Sequence, residues 1–374
     1  MKKLLPEVCT IQYGFPFDSA KFSDSDGMPL IRIRDVVRGY SETYTTEEYK
    51  SEYIVHENDL LIGMDGEFNI AKWGKTPALL NQRVCRLVPK DSIDKDYLFY
   101  FMPIALKRIE EKTPFVTVKH LSAKELNKIE IPVLPLEEQR KIAETLSKVD
   151  ELIAFRDQQL AKLDELIKAR FVEMFGTFPA NPFRWSTGKI QDVVSDVRYG
   201  SSRPAVEGGK YPYLRMNNIT YSGELDLHDT KRIDIPDSEL DKCTVRRGDV
   251  LFNRTNSKEL VGKNCVYNRN ELMVLAGFVI RVRVNERIRP EVLSAFLNMD
   301  FSKRMLIGMC KTAIGQANIN AKELQNIDLY IPPIELQDQF VTLKNKIDQQ
   351  KQTVQQSLEK LKLMKKALMQ EYFG

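Results

Sequence analysis

The stretch Ala123-Lys124-Glu125-Leu126-Asn127-Lys128-Ile129-Glu130-Ile131-Pro132-Val133-Leu134-Pro135-Leu136-Glu137-Glu138-Gln139 opens a segment that the chain repeats 198 residues later. Residues 123–176 align with residues 321–374 without a gap, and 19 of the 54 positions are identical. Both copies begin with Ala-Lys-Glu-Leu, share a Pro-x-Glu-x-Gln run, and end in Phe-Gly. A period near 200 residues indicates a duplicated domain, because solenoid repeats are far shorter.

Weaker similarities upstream extend the repeat over most of the 374 residues. They occur in the same order in both halves, with shifted offsets. The chain is therefore interpreted as two copies of one unit with well-matched ends and divergent bodies. The matching pairs are Pro29–Val36 with Pro212–Ile219, Asp59–Ile62 with Asp249–Phe252, and Val84–Arg86 with Val279–Arg281.

The matched ends predict two long helices. Apolar residues recur in alternating steps of four and three from Ile142 and from Phe340, which is the 3.5-residue period of a coiled-coil seam. Each of the two runs is preceded by a proline, Pro135 or Pro333, and glutamates come within three residues after each proline. Both features are common at helix N-termini. A helix from about Leu136 to Phe175 would be about 60 Å long. The predicted seam consists of Ile142, Leu146, Val149, Ile153, Leu160, Leu163, Ile167, Phe340, Ile347, Val354, Leu358, Leu361 and Leu368.

Two such helices at equivalent positions favour pairing with each other over two separate core helices. An antiparallel pair suits two copies related by a pseudo-two-fold axis. The second seam is interrupted by Lys344, Lys351 and Lys365. We therefore expect it to bury only part of its face against the first helix and to leave room for another chain.

The bodies between the helices predict short strands and a few helices. Runs rich in Val, Ile and Leu are bounded by Gly, Asn and Asp, and they cover 29–37, 59–64, 82–89, 212–219, 249–253 and 274–284. Short amphipathic helices are expected near 96–111 and 290–309. The predicted fold class is α+β: two tandem α/β domains separated by two long helices that pair as an antiparallel coiled coil. The predicted segments are 1–134 (first domain), 135–176 (central helix), 177–332 (second domain) and 333–374 (C-terminal helix).

Composition excludes several broad classes. An apolar content of 43% excludes intrinsic disorder. The longest apolar run, Leu272 to Ile280, has about half the length of a membrane span. Because the N-terminus lacks the apolar stretch of a signal peptide, a cytoplasmic location without membrane contact is expected. The five cysteines form no C-x-x-C pair, and we expect them to be structural thiols.

The net charge of +4 is unevenly distributed. Residues 177–320 carry a net charge of +6, whereas residues 1–121 carry −1. Many domains match a surplus of this size, so charge alone does not predict binding to nucleic acid.

No catalytic, nucleotide-binding or metal site is predicted. Neither G-x-x-x-x-G-K-[ST] nor G-x-G-x-x-G is found. The three histidines, His56, His120 and His228, lack the spacing of metal ligands.

Polar loops next to strands are typical of recognition instead. The run Asn253 to Lys258 directly follows a strand, and Tyr199 to Arg203 and Lys311 to Asn318 are similar. Arg can bind guanine and Asn or Gln adenine in the major groove, while Lys, Ser and Thr suit phosphates. The predicted DNA contacts are Tyr13, Arg32, Arg34, Lys72, Lys75 and Lys119 in the first copy, and Tyr199, Ser201, Ser202, Arg203, Arg215, Asn217, Asn253, Arg254, Thr255, Asn256, Lys258, Lys263, Lys311, Gln316 and Asn318 in the second.

These motifs resemble the specificity subunit of type I restriction-modification systems over nearly the whole chain. The resemblance is carried by the run Leu126 to Gln139 with its heptad helix, repeated about 200 residues later. Gly315-Gln316-Ala317-Asn318-Ile319 and the passage from Phe175-Gly176 to Trp185 also match. The first copy departs from the pattern, because Val116 to His120 stands where the second has Gly-x-Gln-x-Asn-Ile.

The resemblance implies a non-catalytic subunit with two target recognition domains. Each would read half of a bipartite, asymmetric site in double-stranded DNA, with the helix pair acting as a ruler between the halves. It implies two modification subunits that bind S-adenosylmethionine and methylate adenine, and restriction subunits that use ATP and Mg²⁺. This chain itself would hold no cofactor.

Two other classes of function stay open. The chain is alternatively a self-sufficient methyltransferase or nuclease whose site has no recognised motif. It is alternatively a coiled-coil scaffold that does not touch DNA, which the near-neutral first domain favours.

Overall fold

A computed structural model describes residues 1–112, 119–257, 260–310 and 317–374. Contacts divide the chain into two compact units. The first contains Met1–Phe155 and Ser357–Gly374, and the second contains Arg156–Gln356. Each unit therefore includes part of both long helices. The four-segment division at 134, 176 and 332 stays a prediction.

The first unit consists of short strands, short helices and the helix α3. Its elements are β1 (Lys2–Leu4), α1 (Leu5–Val8), β2 (Cys9–Tyr13), β3 (Phe22–Ser23), β4 (Met28–Ile31), α2 (Ile33–Arg38), β5 (Tyr44–Thr45), β6 (Ile54–Val55), β7 (Leu60–Gly63), β8 (Asn69–Lys72), β9 (Ala78–Leu80), β10 (Val84–Pro89), α3 (Lys95–Lys112), α4 (Ala123–Leu126) and β11 (Glu130–Pro132). The first long helix, α5 (Leu136–Phe175), follows.

The second unit repeats this pattern. Its elements are β12 (Ser186–Lys189), β13 (Val194–Tyr199), β14 (Tyr211–Leu214), β15 (Lys231–Ile233), α6 (Asp237–Cys243), β16 (Thr244–Val245), β17 (Val250–Asn253), β18 (Thr255–Asn256), β19 (Asn264–Val266), β20 (Met273–Leu275), β21 (Val279–Val284), α7 (Pro290–Asn298), α8 (Asp300–Met309), β22 (Ala317–Asn318), α9 (Ala321–Gln325) and β23 (Asp328–Ile331). The second long helix, α10 (Ile334–Phe373), ends the chain.

Sheet order is the same in both units. One sheet runs β2-β10-β7-β8 in the first unit and β13-β21-β17-β19 in the second. A second sheet contains a parallel pair, β4 with β9 and β14 with β20. The α+β class with a repeated unit is therefore confirmed, although only the helical ends of the two copies align without gaps.

Three predicted strands are shorter than expected. The predicted strand 29–37 ends at Ile31, because the Asp35 carboxylate accepts a hydrogen bond from the Arg32 backbone N–H at 2.9 Å and starts α2. In 212–219, Asn218 accepts the corresponding bond from Arg215 at 2.8 Å, and a 3₁₀ turn follows. The predicted strand 274–284 is divided into β20 and β21 by a turn.

The glutamine of the repeated Pro-x-Glu-x-Gln run, here called the signature, explains why this run precedes each long helix. Gln139 is fully buried; its side chain accepts from the Asp94 N–H at 2.8 Å and donates to the carbonyls of Ser92 and Leu134. Gln337 is equally buried and makes the same three bonds, to Arg289, Arg287 and Pro332.

A buried amide that satisfies three backbone groups fixes the start of a helix against its domain. An apolar residue at either glutamine would leave those groups without partners.

The long helices are antiparallel within each unit. In the first unit, Lys365 in the C-terminal part of α10 lies 2.5 Å from Asp150 in the N-terminal part of α5. Phe373 at the end of α10 also packs on Tyr97 and Phe101 of α3, with ring centroids 5.2 and 5.8 Å apart. In the second unit, Phe171 and Phe175 near the end of α5 pack on Phe340 near the start of α10, at 5.6 and 5.4 Å. The predicted antiparallel pair is confirmed.

All thirteen predicted seam positions are buried or half-buried. Leu146, Val149, Phe340, Ile347, Val354 and Leu358 are buried, and Ile142, Ile153, Leu160, Leu163, Ile167, Leu361 and Leu368 are half-buried.

The three seam lysines were expected to interrupt the pairing of the helices, but two of them do not. Lys365 of α10 lies 2.5 Å from Asp150 of α5 in the first unit. Lys351 is only 8% exposed and bonds Asp164 of α5 at 2.5 Å and also Glu224 of the second unit. Burial lowers the pKa of Lys351, but its hydrogen bonds to the two acids outweigh this and raise the pKa. These lysines therefore join the two helices.

Candidate nucleic-acid interface

Arg254 lies directly after strand β17, and its guanidinium stacks on the Tyr199 ring at 4.9 Å from the centroid. Its backbone N–H donates to the Phe278 carbonyl at 3.0 Å, and its carbonyl accepts from Ile319 at 2.9 Å. The Tyr199 hydroxyl accepts from the Ala321 N–H at 2.8 Å. The stacked pair is thus anchored to two neighbouring elements, and such stacking immobilises an arginine at little cost.

Strand β18 extends this cluster by pairing with β22. Thr255 lies opposite Asn318, and the Thr255 hydroxyl donates to the Asn318 side chain at 3.2 Å. Asn318 is exposed, and Asn256 is half-buried. The structure therefore brings together residues from three separate predicted loops, namely Tyr199, Arg254, Thr255, Asn256 and Asn318.

Four predicted contacts are buried, so their side chains are not presented to a ligand. They are Ser201, Asn253, Thr255 and Lys263, with exposed fractions of 8% or less. Asn253 is fully buried and its side-chain amide has no hydrogen-bond partner. Burial lowers the pKa of Lys263. Strand packing covers them: one follows β13, one ends β17, one begins β18 and one directly precedes β19, in the order Ser201, Asn253, Thr255 and Lys263.

The remaining described contacts of the second unit are divided between paired and unpaired side chains. Arg203 bonds Glu239 at 2.7 Å, and this hydrogen bond lowers the pKa of Glu239. Arg215 bonds Asp229 at 2.8 Å and lowers the pKa of that carboxyl likewise. Ser202 and Asn217 are exposed. Lys258, Lys311 and Gln316 lie outside the described residues.

Predicted contacts of the first unit also differ in availability. Tyr13, Arg32, Arg34 and Lys75 are exposed. Lys72 is held 2.8 Å from Asp96 of α3, and Lys119 donates to the Glu110 carbonyl at 2.9 Å. The last two lysines are therefore directed to α3, not to an open surface.

Arg83 is not among the contacts predicted from the sequence, although its position suits a ligand. It lies in the turn between β9 and β10 and borders a cavity of about 280 Å³ that is also lined by Arg32, Asn81 and Gln82. Arg83 directly precedes Val84-Cys85-Arg86, one of the segments that match between the two copies. That position in the repeat was the one signal in the sequence.

Other chemistry is not evident in the described part of the chain. No three of its His, Cys, Asp and Glu side chains lie close enough together to hold a metal ion. Cys9, Cys85, Cys243 and Cys265 are buried free thiols, and burial raises the pKa of Cys85 and of Cys265 to about 12. Of the helices described, none is long and apolar enough to span a membrane.

Comparison with known proteins identifies the family. Residues 1–165 and 182–363 match the model of the type I restriction modification DNA specificity domain. The chain belongs to this specificity family. It is 31% identical to the EcoBI specificity subunit of Escherichia coli over 372 residues, which cover 90% of this chain and 77% of that one. The EcoKI specificity subunit of E. coli strain K12 is 24% identical, with 84% and 74% covered.

Solved structures from the same family share the fold. A type I restriction-modification S subunit from M. genitalium matches all of this chain and 96% of its own, with a TM-score of 0.57 and 16% identity. A chain from a study of type I complex assembly and conformational transition matches with a TM-score of 0.56 and 19% identity, covering 100% and 97%. The resemblance inferred from the repeated signature is thus confirmed.

Proposed function

We propose that this chain is the non-catalytic, cytoplasmic DNA specificity subunit of a type I restriction-modification complex, and that each of its domains reads one half of a bipartite, asymmetric site. The observation that carries the proposal is that the two units share one strand order but have different polar side chains at the same place in it. Where β18 and β22 bring Thr255 to Asn318, the first unit pairs Asp65 with His120 through an isolated bridge. Equivalent scaffolds with different side chains suit two unlike half-sites.

The long helices are the proposed docking platform for two modification subunits. In the first unit α5 exposes 44% of Leu152 and 63% of Phe155, and α10 exposes 67% of Leu363. Exposed apolar side chains on a helix favour a surface that a partner covers. The modification subunits would contribute S-adenosylmethionine chemistry at adenine, and the restriction subunits would contribute ATP- and Mg²⁺-dependent cleavage. This chain would hold no cofactor.

Helix length is the proposed ruler for the unread spacer. Both helices have 40 residues, and neither contains an internal Gly or Pro that would bend it. The number of residues in the pair would then determine how many base pairs separate the half-sites.

Methylome sequencing tests the proposal. A host that expresses this chain with its modification subunits should carry methyladenine in one motif made of two unlike halves and a spacer. Exchanging residues 177–332 for those of a relative should change one half and preserve the other. A motif unaffected by the exchange would contradict the proposal.

Two control experiments separate the alternatives. The purified chain alone, given S-adenosylmethionine and DNA, should transfer no methyl groups; transfer would indicate a self-sufficient enzyme. Replacing both Arg254 and Asn256 by Ala should weaken binding of the assembled complex to DNA, and the loss should be larger at low salt, where a lost positive charge matters most. Equal binding would favour a scaffold that does not contact DNA.

A further inference from the structure

The turn that joins the two sheets occupies the same position in both units. In the first unit Val84 N–H donates to the Asn81 carbonyl at 3.2 Å, and in the second Val279 donates to Ala276 at 2.9 Å. The last turn residue also accepts an equivalent bond: the Arg83 carbonyl accepts from Met64 at 2.9 Å, and the Phe278 carbonyl accepts from Arg254 at 3.0 Å. Arg83 and Phe278 are therefore structural counterparts.

The two counterparts expose opposite chemistry. The side chain of Arg83 is 53% exposed, and Phe278 is 50% exposed. The turn residue Ala276 of the second unit is buried. Phe278 thus presents a half-exposed aromatic ring at the turn whose carbonyl accepts from Arg254, and a phenylalanine ring is one of the groups that contact a thymine methyl in the major groove.

Arg83 is held in an unusual conformation. Its φ of +71° is in the left-handed region that side chains other than Gly, Asn and Asp rarely adopt. Nη1 lies 3.5 Å from Asp65 and 3.2 Å from His120 Nδ1, which is itself 2.5 Å from Asp65. No described residue bonds Nε or Nη2. Backbone strain of this kind persists where the surroundings fix it, and it is concentrated at functional sites.

The orientation of Arg83 gives it access to a ligand. Arg32 and Arg83 border the same open cavity, which Asn81 and Gln82 also line. The cavity thus combines two guanidinium groups with the exposed amide of Gln82, residue types that recognise base edges in a major groove, whereas Asn81 is buried. Asp65 and His120 hold Nη1 of the Arg83 guanidinium. The N–H groups of Nε and Nη2 remain to donate a pair of hydrogen bonds to a ligand.

We propose that this turn position determines which base each domain selects: Arg83 reads a guanine through its O6 and N7, and Phe278 reads the methyl group of a thymine. The inference rests on the proposed function and adds the specificity-determining residue of each domain. A bidentate arginine–guanine contact gives about tenfold to a hundredfold discrimination between bases.

Atom-level substitutions in DNA test the arginine. The complex with its modification subunits should methylate an oligonucleotide about tenfold more slowly when one guanine of the first half-site is replaced by 7-deazaguanine, which lacks the N7 acceptor. In Arg83→Ala the same replacement should have no effect. Arg83→Lys should keep assembly and lose discrimination at that one base pair, because an ammonium lacks the planar fork of a guanidinium that makes two parallel hydrogen bonds. Arg108→Ala, which removes an exposed arginine from α3, is the matched control and should retain the full effect.

Uracil tests the phenylalanine. Replacing one thymine of the second half-site by uracil removes only the methyl group, and this should slow methylation severalfold in the wild-type complex and not in Phe278→Ala.

Arg83→Lys methylating an unchanged motif at an unchanged rate would overturn the inference while leaving the proposed function intact. Loss of methylation on every oligonucleotide, with assembly preserved, would overturn it too, since a base reader must fail selectively. Failure of the domain exchange to alter either half-site would instead refute the proposed function.

Discussion

At the scale of single residues, the two signature glutamines give a direct test of what the repeat is for. Gln139→Leu removes the partners of the Asp94 N–H and of the Ser92 and Leu134 carbonyls. Buried backbone groups without partners cost about 1–3 kcal/mol each, so we expect the free energy of unfolding to fall by at least about 2 kcal/mol in urea titrations followed by circular dichroism. Gln158→Leu, at an exposed position of the same helix, should change it little. Equal losses in the two variants would contradict the structural role.

Lys303 predicts a pH dependence. Burial lowers its pKa to about 8, with contributions from the nearby charges of Lys168 and Lys263. Because the folded pKa lies below the unfolded one, the unfolded chain binds more protons between pH 8 and 10.5, and this residue's contribution to stability rises with pH in that window. From pH 7 to 9.5, the wild type should gain about 2 kcal/mol relative to Lys303→Met. Paired unfolding curves at the two pH values measure the difference, and a constant difference would contradict the prediction.

At the scale of elements, the Lys351 cluster predicts an unequal effect of removing its two sides. Lys351 is 8% exposed, whereas the side chains of Asp164 and Glu224 are 38% and 52% exposed. Replacing both acids by Ala leaves a buried ammonium without a partner, which costs about 3–5 kcal/mol. Lys351→Ile, the residue found at the matching position Ile153, leaves two acids that water can reach and should cost less. Thermal unfolding compares them, and the reverse order would contradict this account.

Helices were predicted more accurately than strands for a physical reason. A 3.5-residue period held over 40 residues accumulates a clear signal, so α5 was located from the sequence alone. The apolar run from Leu272 to Ile280 gave one continuous strand signal, although the Val279 N–H donates to the Ala276 carbonyl and closes a turn within it. The signal for this turn was Gly277, but a single glycine inside an apolar run is also typical of a bulge within one strand.

The candidate interface shows the same limit. Arg254 was predicted because a polar run follows a strand, but its stacking on Tyr199 joins residues 55 positions apart in sequence. Ser201 and Asn253 were predicted from residue type and are buried, because strand neighbours determine exposure. Arg83 matches no sequence motif, because its orientation depends on a backbone conformation and on Asp65 and His120.

At the scale of the whole molecule, the duplication separates the shared framework of the two copies from the side chains in which they differ. The signature glutamines and the helix pair are alike in both copies, whereas the turn residues Arg83 and Phe278 differ. Under the proposed function, we expect the matched ends to preserve assembly and the divergent bodies to let each half-site change independently. If both bodies bind DNA as proposed, their net charges of −1 and +6 predict unequal electrostatic contributions from the two halves.

The proposed ruler can be tested by lengthening both long helices together. Seven residues inserted after Phe155 in α5 and seven after Gln356 in α10, where the two units divide, preserve the heptad phase of the seam. Seven residues add about 10 Å of helix, or about three base-pair steps at 3.4 Å each. Methylome sequencing should then find both half-sites unchanged and the spacer about three base pairs longer. The same insertion in α5 alone should disrupt the pair and abolish methylation. Altered half-sites with an unchanged spacer would refute the ruler, because base readout would then depend on the helices.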